Sequence, residues 1–165
     1  MSERPLLKLV AEPAEQRPAK LFCGHCAREP ESGPPSDGGS RVCEHCGLGL
    51  LLGASPDMAP TPTDPFLVAD AGQFICAVSK AGESLLGVPE PEAVNHHLND
   101  FVVPADLANP ASYSLSAAVV AAATGATDAI HIAVRPPDTF GVRHWAKIGG
   151  CGPPSAALIV IAAVD

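Results

Sequence analysis

Two cysteine pairs constrain this chain more than any other feature. CGHC stands at 23–26 and CEHCG at 43–47, with sixteen residues between the pairs. Two residues between paired cysteines let both sulfurs point inward from one tight turn, and two such turns close a tetrahedron of thiolates. Such a tetrahedron suits zinc, which binds sulfur well and has no redox chemistry; iron in a rubredoxin-like site is the chemical alternative. The predicted site is one structural Zn2+ per chain on Cys23, Cys26, Cys43 and Cys46. Four cysteines fill the coordination shell and leave no position for a catalytic water. Gly24 and Gly47 suit the sharp backbone of the two knuckles. His25 and His45 lie inside the knuckles, but adjacent positions seldom face one metal, so both are expected to shield the site or face solvent.

The metal is also an energetic requirement. Segment 21–52 offers only Phe22, Val42, Leu48 and Leu50 as core candidates, too few to fold so short a module by apolar burial alone. Zinc contributes on the order of 10–16 kcal/mol to the folding of finger peptides. The full 165 residues leave room for a compact second domain of about 100 residues. Composition divides the chain into a cysteine module with an N-terminal extension (1–52), a Pro-rich linker (53–63) and the second domain (64–165). The extension carries one candidate strand, at 6–10.

Charge disfavours some partners. The formal net charge is −8, with six Lys/Arg against eight Asp/Glu in residues 1–60 and four against ten in the remainder. Nucleic-acid binders need a basic patch to neutralise phosphates, and only Arg17, Lys20 and Arg41 offer a local one. Nucleic acid is therefore disfavoured as a partner. The N-terminus lacks the apolar run of a signal peptide, and the apolar stretch 156–164 is too short to span a bilayer. The expectation is a cytoplasmic chain without a membrane partner, in which close cysteine pairs hold metal rather than form disulfides.

The second domain alternates between strand and helix signals. Residues 66–69 and 73–78 read as a hairpin around Asp70, Ala71 and Gly72, with Phe74, Cys76 and Val78 on one face. On that reading Cys76 is a small core hydrophobe. Ser79 is placed as an N-cap for a helix over 80–86 stopped by Gly87, by the usual capping logic. A second short helix is predicted at 92–101, and Asn109 and Pro110 open a longer, Ala-rich one over 112–124. Strands at 127–134, 142–148 and 156–164 follow. The last is apolar on both faces, which suits a central strand covered on both sides. The fold class is α+β: one antiparallel sheet with helices on one face.

The cysteine region, LFCGHC at 21–26 and RVCEHCG at 41–47, resembles the zinc-ribbon group. Such ribbons bind nucleic acids, bind proteins or cap a fold. Residues 64–165 resemble a PAS domain. FLVADAGQFI at 66–75 is similar to its opening hairpin, Ala81 and Leu85, Leu86 and Gly87 to its first helix, and DFVVPAD at 100–106 to the stretch before its long helix. Ser79 stands where many members have Asn, and Trp145 is usual in the penultimate strand. The resemblance implies a five-stranded antiparallel sheet, a pocket between sheet and helices, and a role in sensing ligands or docking partners.

Within that resemblance, the residues restrict the sensor chemistry. The reactive cysteine motif of photoactive flavin binders is missing, since Cys76 lies in a strand and Cys151 in a Gly/Pro loop. A haem ligand on the long helix is missing too. His96 and His97 are adjacent and cannot both face inward, while His131 and His144 lie on strands, His144 on an apolar face. No Walker loop or Gly-x-Ser-x-Gly elbow is present, so no enzyme is expected. The main expectation is a zinc-binding signalling or regulatory protein with a PAS sensor or interaction domain. Its partner is another protein or a second copy. A nucleic-acid-binding ribbon regulator and a haem- or flavin-binding sensor are the rivals. The organic ligand, if any, is not specified. The doubly apolar last strand needs a cover on its outer face: a second copy, the zinc module or residues 1–20.

Overall fold

The computed structural model describes residues 19–106, 114–126 and 128–162. The strand expected at 6–10 and the Asn109–Pro110 opening lie outside them. Eight strands form one sheet: β1 (Lys20–Cys23), β2 (Leu51–Ala54), β3 (Phe66–Ala69), β4 (Ile75–Val78), β5 (Val103–Pro104), β6 (Ile130–Arg135), β7 (His144–Gly152) and β8 (Ala156–Ile161). Among the described residues, three α-helices accompany it: α1 (Lys80–Leu86), α2 (Glu90–Ala93) and α3 (Leu115–Ala123). Every strand pairing is antiparallel. The chain is thus a mixed α/β fold built on an antiparallel sheet.

The strands of the second domain run β6-β7-β8-β3-β4, with the two-residue β5 on the outer edge of β6. The β1–β2 hairpin joins this same sheet. Gly53 pairs with Gly152 and Ala54 with Cys151. Cys151 also pairs with Ala156 of β8, so β2 takes the edge of β7 that β6 occupies farther along, at His144 to Ile148. The expected linker at 53–63 therefore begins as strand, and Met58 within it is buried. Composition flagged the prolines there but could not show that the small residues Gly53 and Ala54 pair in a sheet.

Two apolar cores lie on opposite faces. On one, α3 lays Leu115, Ala118, Val119, Ala122 and Ala123 on Ile148, Ile159 and Ile132. On the other, Phe22, Leu52, Ala54 and Met58 pack on Phe66, Val68, Leu158 and Cys151. Alternation along β8 sends Ala157, Ile159 and Ile161 to the helix side and Ala156 and Leu158 to the outer side. Two adjacent glycines of β7 make room for both layers. A Cβ at Gly149 would fall 2.8 Å from Met58 Cγ, and one at Gly150 would fall 3.0 Å from the Ala122 carbonyl oxygen.

Helix α1 starts and stops where capping chemistry places it. Ser79 Oγ accepts from Gly82 N at 2.9 Å, and Gly87 ends the helix at φ +72°. Ser79 is buried, and its Oγ also accepts from Phe66 N at 2.9 Å. One hydroxyl thus ties the helix to β3. Ser79→Ala strands two buried N–H groups and is expected to cost about 2 kcal/mol, read from the urea midpoint; a loss below about 0.5 kcal/mol would mean the hydroxyl is dispensable.

Two predicted elements differ. The helix expected at 92–101 is shortened to α2, and only Leu98–Asp100 form a 3-10 turn beyond it. Asn95 at φ +68° breaks the run, and Asn95 N and His96 O bond to Ile75 instead. The predicted shared face of Phe74, Cys76 and Val78 is also absent. Ala69 pairs with Ile75 and Val68 with Ala77, so Cys76 is the extra residue of a β-bulge. The bulge turns Ile75 and Val78 both inward and leaves Cys76 exposed, as an extra residue in one strand shifts the alternation. Cys76 is not a core residue.

Candidate metal centre

The knuckles are set by the β1–β2 hairpin. Cross-strand pairs alternate: Phe22 faces Leu52, and Cys23 faces Leu51. Successive strand residues point to opposite sides, so the first pair enters the outer-face core while the second packs beside the sulfurs. The expected ribbon core changes accordingly. Phe22 is buried, but Val42, Leu48 and Leu50 are exposed, and Leu51 and Leu52 take their place.

All four predicted ligands come together. The sulfurs of Cys23, Cys26, Cys43 and Cys46 lie within 4.8 Å of one another. Cys23 Sγ is 3.6 Å from Cys46 Sγ, and Cys26 Sγ is 3.7 Å from Cys43 Sγ. A tetrahedral zinc with Zn–S bonds of about 2.3 Å requires S···S separations of about 3.8 Å. The cluster therefore has the dimensions that a zinc ion fits. Backbone N–H groups already point at the sulfurs: His25 N and Cys26 N at Cys23 Sγ (3.3 and 3.4 Å), and Gly49 N at Cys46 Sγ (3.5 Å). Burial pushes the Cys23 and Cys26 thiols up. Burial opposes ionisation at Cys46 as well, but the N–H groups of Gly49 and Leu48, together with the neighbouring Cys23 and Cys26 thiols, outweigh it and bring that thiol down to about 6. A cation among the sulfurs would supply what the buried pair lacks, since metal binding and thiol deprotonation are linked. Among the described residues, these four form the one group of three or more such ligand side chains.

The residues after each knuckle reveal a correction. Ala27 and Gly47 hold the left-handed conformation, at φ +61° and +66°. Gly47 does what the sequence suggested. On the first knuckle that role falls to Ala27 rather than Gly24. Gly49 went unnoticed at the sequence level and is the tightest position in the site. A Cβ there would lie 2.3 Å from Cys23 Sγ and 2.8 Å from His25 N. The signal was present in the spacing, as a second glycine two residues after Gly47. Gly49→Ala is expected to weaken zinc binding by about ten- to a hundred-fold, measured by competition with a chromophoric chelator; unchanged affinity would mean the second knuckle shifts freely.

Neither knuckle histidine turns to the sulfurs. His25 Nδ1 lies 3.3 Å from the Val78 carbonyl oxygen and 3.7 Å from Glu90 Oε2, and His45 Nε2 lies 3.8 Å from Glu31. The first knuckle is in fact docked on the second domain. Lys80 N donates to His25 O at 2.9 Å, and the Phe22 and Phe66 rings meet edge to face at 5.7 Å. The outer face of β8, read from sequence as needing a cover, is covered by the cysteine module.

The other candidates scatter. His96 and His131 are exposed, and His97 Nδ1 caps the 3-10 turn by accepting from Asn99 N. His144 is half-buried, and its Nδ1 meets no hydrogen-bond partner among the described residues. Cys151 lies in β7 rather than a loop, where burial pushes its thiol up to about 12, the state of an inert core cysteine. Of the ribbon cations, Lys20 pairs with Glu29 and Arg41 donates to the Leu51 carbonyl.

No family model and no curated protein sequence matches the chain. Among the described residues, no helix is long and apolar enough to cross a membrane. The structure is similar to the PAS domain of nitrogen regulation protein NR(II) from Vibrio parahaemolyticus, at 14% identity and a TM-score of 0.47, over 62% of this chain and 90% of that one. The four clustered cysteines could hold a metal ion such as zinc.

Proposed function

We propose that this chain is a cytoplasmic, non-catalytic regulatory module in which a structural zinc fastens a ribbon across the outer face of a PAS-like sensor or interaction domain. The observation that carries the reading is the closed set of four sulfurs, at S···S separations of 3.6 and 3.7 Å, on a hairpin hydrogen-bonded into the main sheet. Four thiolates leave zinc no open coordination position, so the metal organises the fold rather than a reaction. The module then acts by docking. The surface that suits docking is the part of the outer face beyond the ribbon. There Trp145 stays 52% exposed, with the Arg143 guanidinium 5.0 Å over its ring, and in the adjoining β6–β7 loop Phe140 stays 81% exposed under Arg135 at 4.7 Å. Trp and Arg are the residue types that most often dominate binding energy at protein interfaces.

A photo-crosslinking residue placed at position 145, with position 92 as control, tests this in the native cell. Zinc-dependent adducts of defined mass at 145 alone are expected, and adducts at twice the chain mass identify a second copy as the partner. Equal labelling at both positions would remove the docking role.

A further inference from the structure

A cavity of about 540 Å³ lies between the second knuckle and the outer face of the sheet. Its walls are apolar, with Leu48, Leu50 and Leu52 on the ribbon side and Val68 on the sheet side. Its polar side chains include the carboxylates of Asp70 and Glu90, and no Lys, Arg or His lines it. Volume and lining fall in the range of small-molecule sites, which are mostly apolar with a few placed polar groups. The ribbon leucines at the cavity are conspicuously uncovered, Leu48 at 72% and Leu50 at 52% exposure. Exposed leucines grouped at a concave site are a binding signal where a single scattered one is not.

We infer that this cavity binds a small apolar organic cation, its hydrocarbon part against the leucines and its charged group toward Asp70 and Glu90. Charge decides the sign of the ligand. Two carboxylates on a lining that holds no Lys or Arg repel an anion and cost a neutral ligand their desolvation. Four thiolates on a bound zinc would add a net charge of −2 beside Gly49, next to Cys23 Sγ. The chain as a whole is also acidic, at −8. Glu90 is partly engaged, through Val78 N and His25. Asp70 accepts from Phe74 N through one oxygen, Oδ1. The cavity has Gly49 in its wall, and Gly49 N donates to Cys46 Sγ. The inference rests on the regulatory reading, for which it supplies a class of signal, but its test does not involve the docking surface.

The test uses the full zinc-loaded chain with methyl-labelled Leu and Val, titrated with hexylammonium, hexanol and hexanoate. Hexylammonium is expected to shift the methyls of Leu48, Leu50, Leu52 and Val68 saturably. It should bind about five-fold more tightly than hexanol, with hexanoate weakest. Asp70→Asn should bring hexylammonium down to the level of hexanol while hexanol binding persists, which shows the cavity intact. Val68→Phe, which fills the space, should abolish both. No saturable shift, equal binding of all three probes, or shifts confined to helix-side methyls such as Val119 would overturn the inference. Crosslinking at position 145 could still succeed in any of these cases, so the two readings fail separately.

Discussion

Chelating the metal is expected to expose the outer face of the sheet as well as to unfold the knuckles. The ribbon holds Phe22, Leu52 and Ala54 on Phe66, Val68 and Leu158. It stays there only while the knuckles exist, and the knuckles consist largely of loop around four sulfurs. Zinc-finger peptides lose on the order of 10–16 kcal/mol of folding free energy with their metal. Losing the hairpin leaves an apolar patch of sheet in water, which binds environment-sensitive dyes and promotes association. A strong chelator, or Cys43→Ser, should therefore lower the melting temperature sharply and induce dye binding. Cys76→Ser should do neither, because that thiol is exposed on the bulge of β4. If chelation left the melting temperature and dye binding unchanged, the ribbon would be an ornament and the sheet would be stable without it.

Truncating Phe22 is the second large effect. Its ring is wholly buried, as is that of Phe66, and the two meet at 5.7 Å with planes 86° apart. An edge-to-face pair gains roughly 0.5–1.5 kcal/mol beyond its area burial, and Phe→Ala at a closed site costs about 3–5 kcal/mol. Phe22→Ala should thus destabilise the zinc-loaded chain by about 4 kcal/mol, read from urea unfolding, while one zinc per chain is retained. Phe22 points at the sheet and Cys23 at the metal, so the two roles separate. Loss of zinc in Phe22→Ala would show instead that the ribbon cannot assemble its site without the sheet beneath it.

The sites most legible in the sequence were those where a local rule decides the outcome. Paired cysteines two residues apart can hardly avoid converging, and all four sulfurs converge. The Ser79 cap and Gly87 stop depend on a few neighbouring residues, and α1 spans Lys80–Leu86 as capping chemistry requires. The long helix and the last strands also sit near their predicted positions, as α3, β6, β7 and β8. What escaped depends on distant partners. Gly53 and Ala54 look like linker until Gly152 and Cys151 are seen across from them. Cys76 looks buried by alternation until a bulge reverses the count. Gly49 looks like one more loop glycine until Cys23 Sγ is found where its side chain would be. The doubly apolar β8 was readable, but which of three covers sat on it required the registers of β1, β2 and β7.

X-ray absorption at the zinc edge of the freshly purified chain tests the central claim most directly. The closed ribbon predicts one zinc per chain with four sulfur neighbours at about 2.3 Å and no nitrogen or oxygen in the first shell. A mixed shell of sulfur with nitrogen or oxygen would contradict it, for it would mean that His25 or His45 turns to the metal or that a coordination position is open to water.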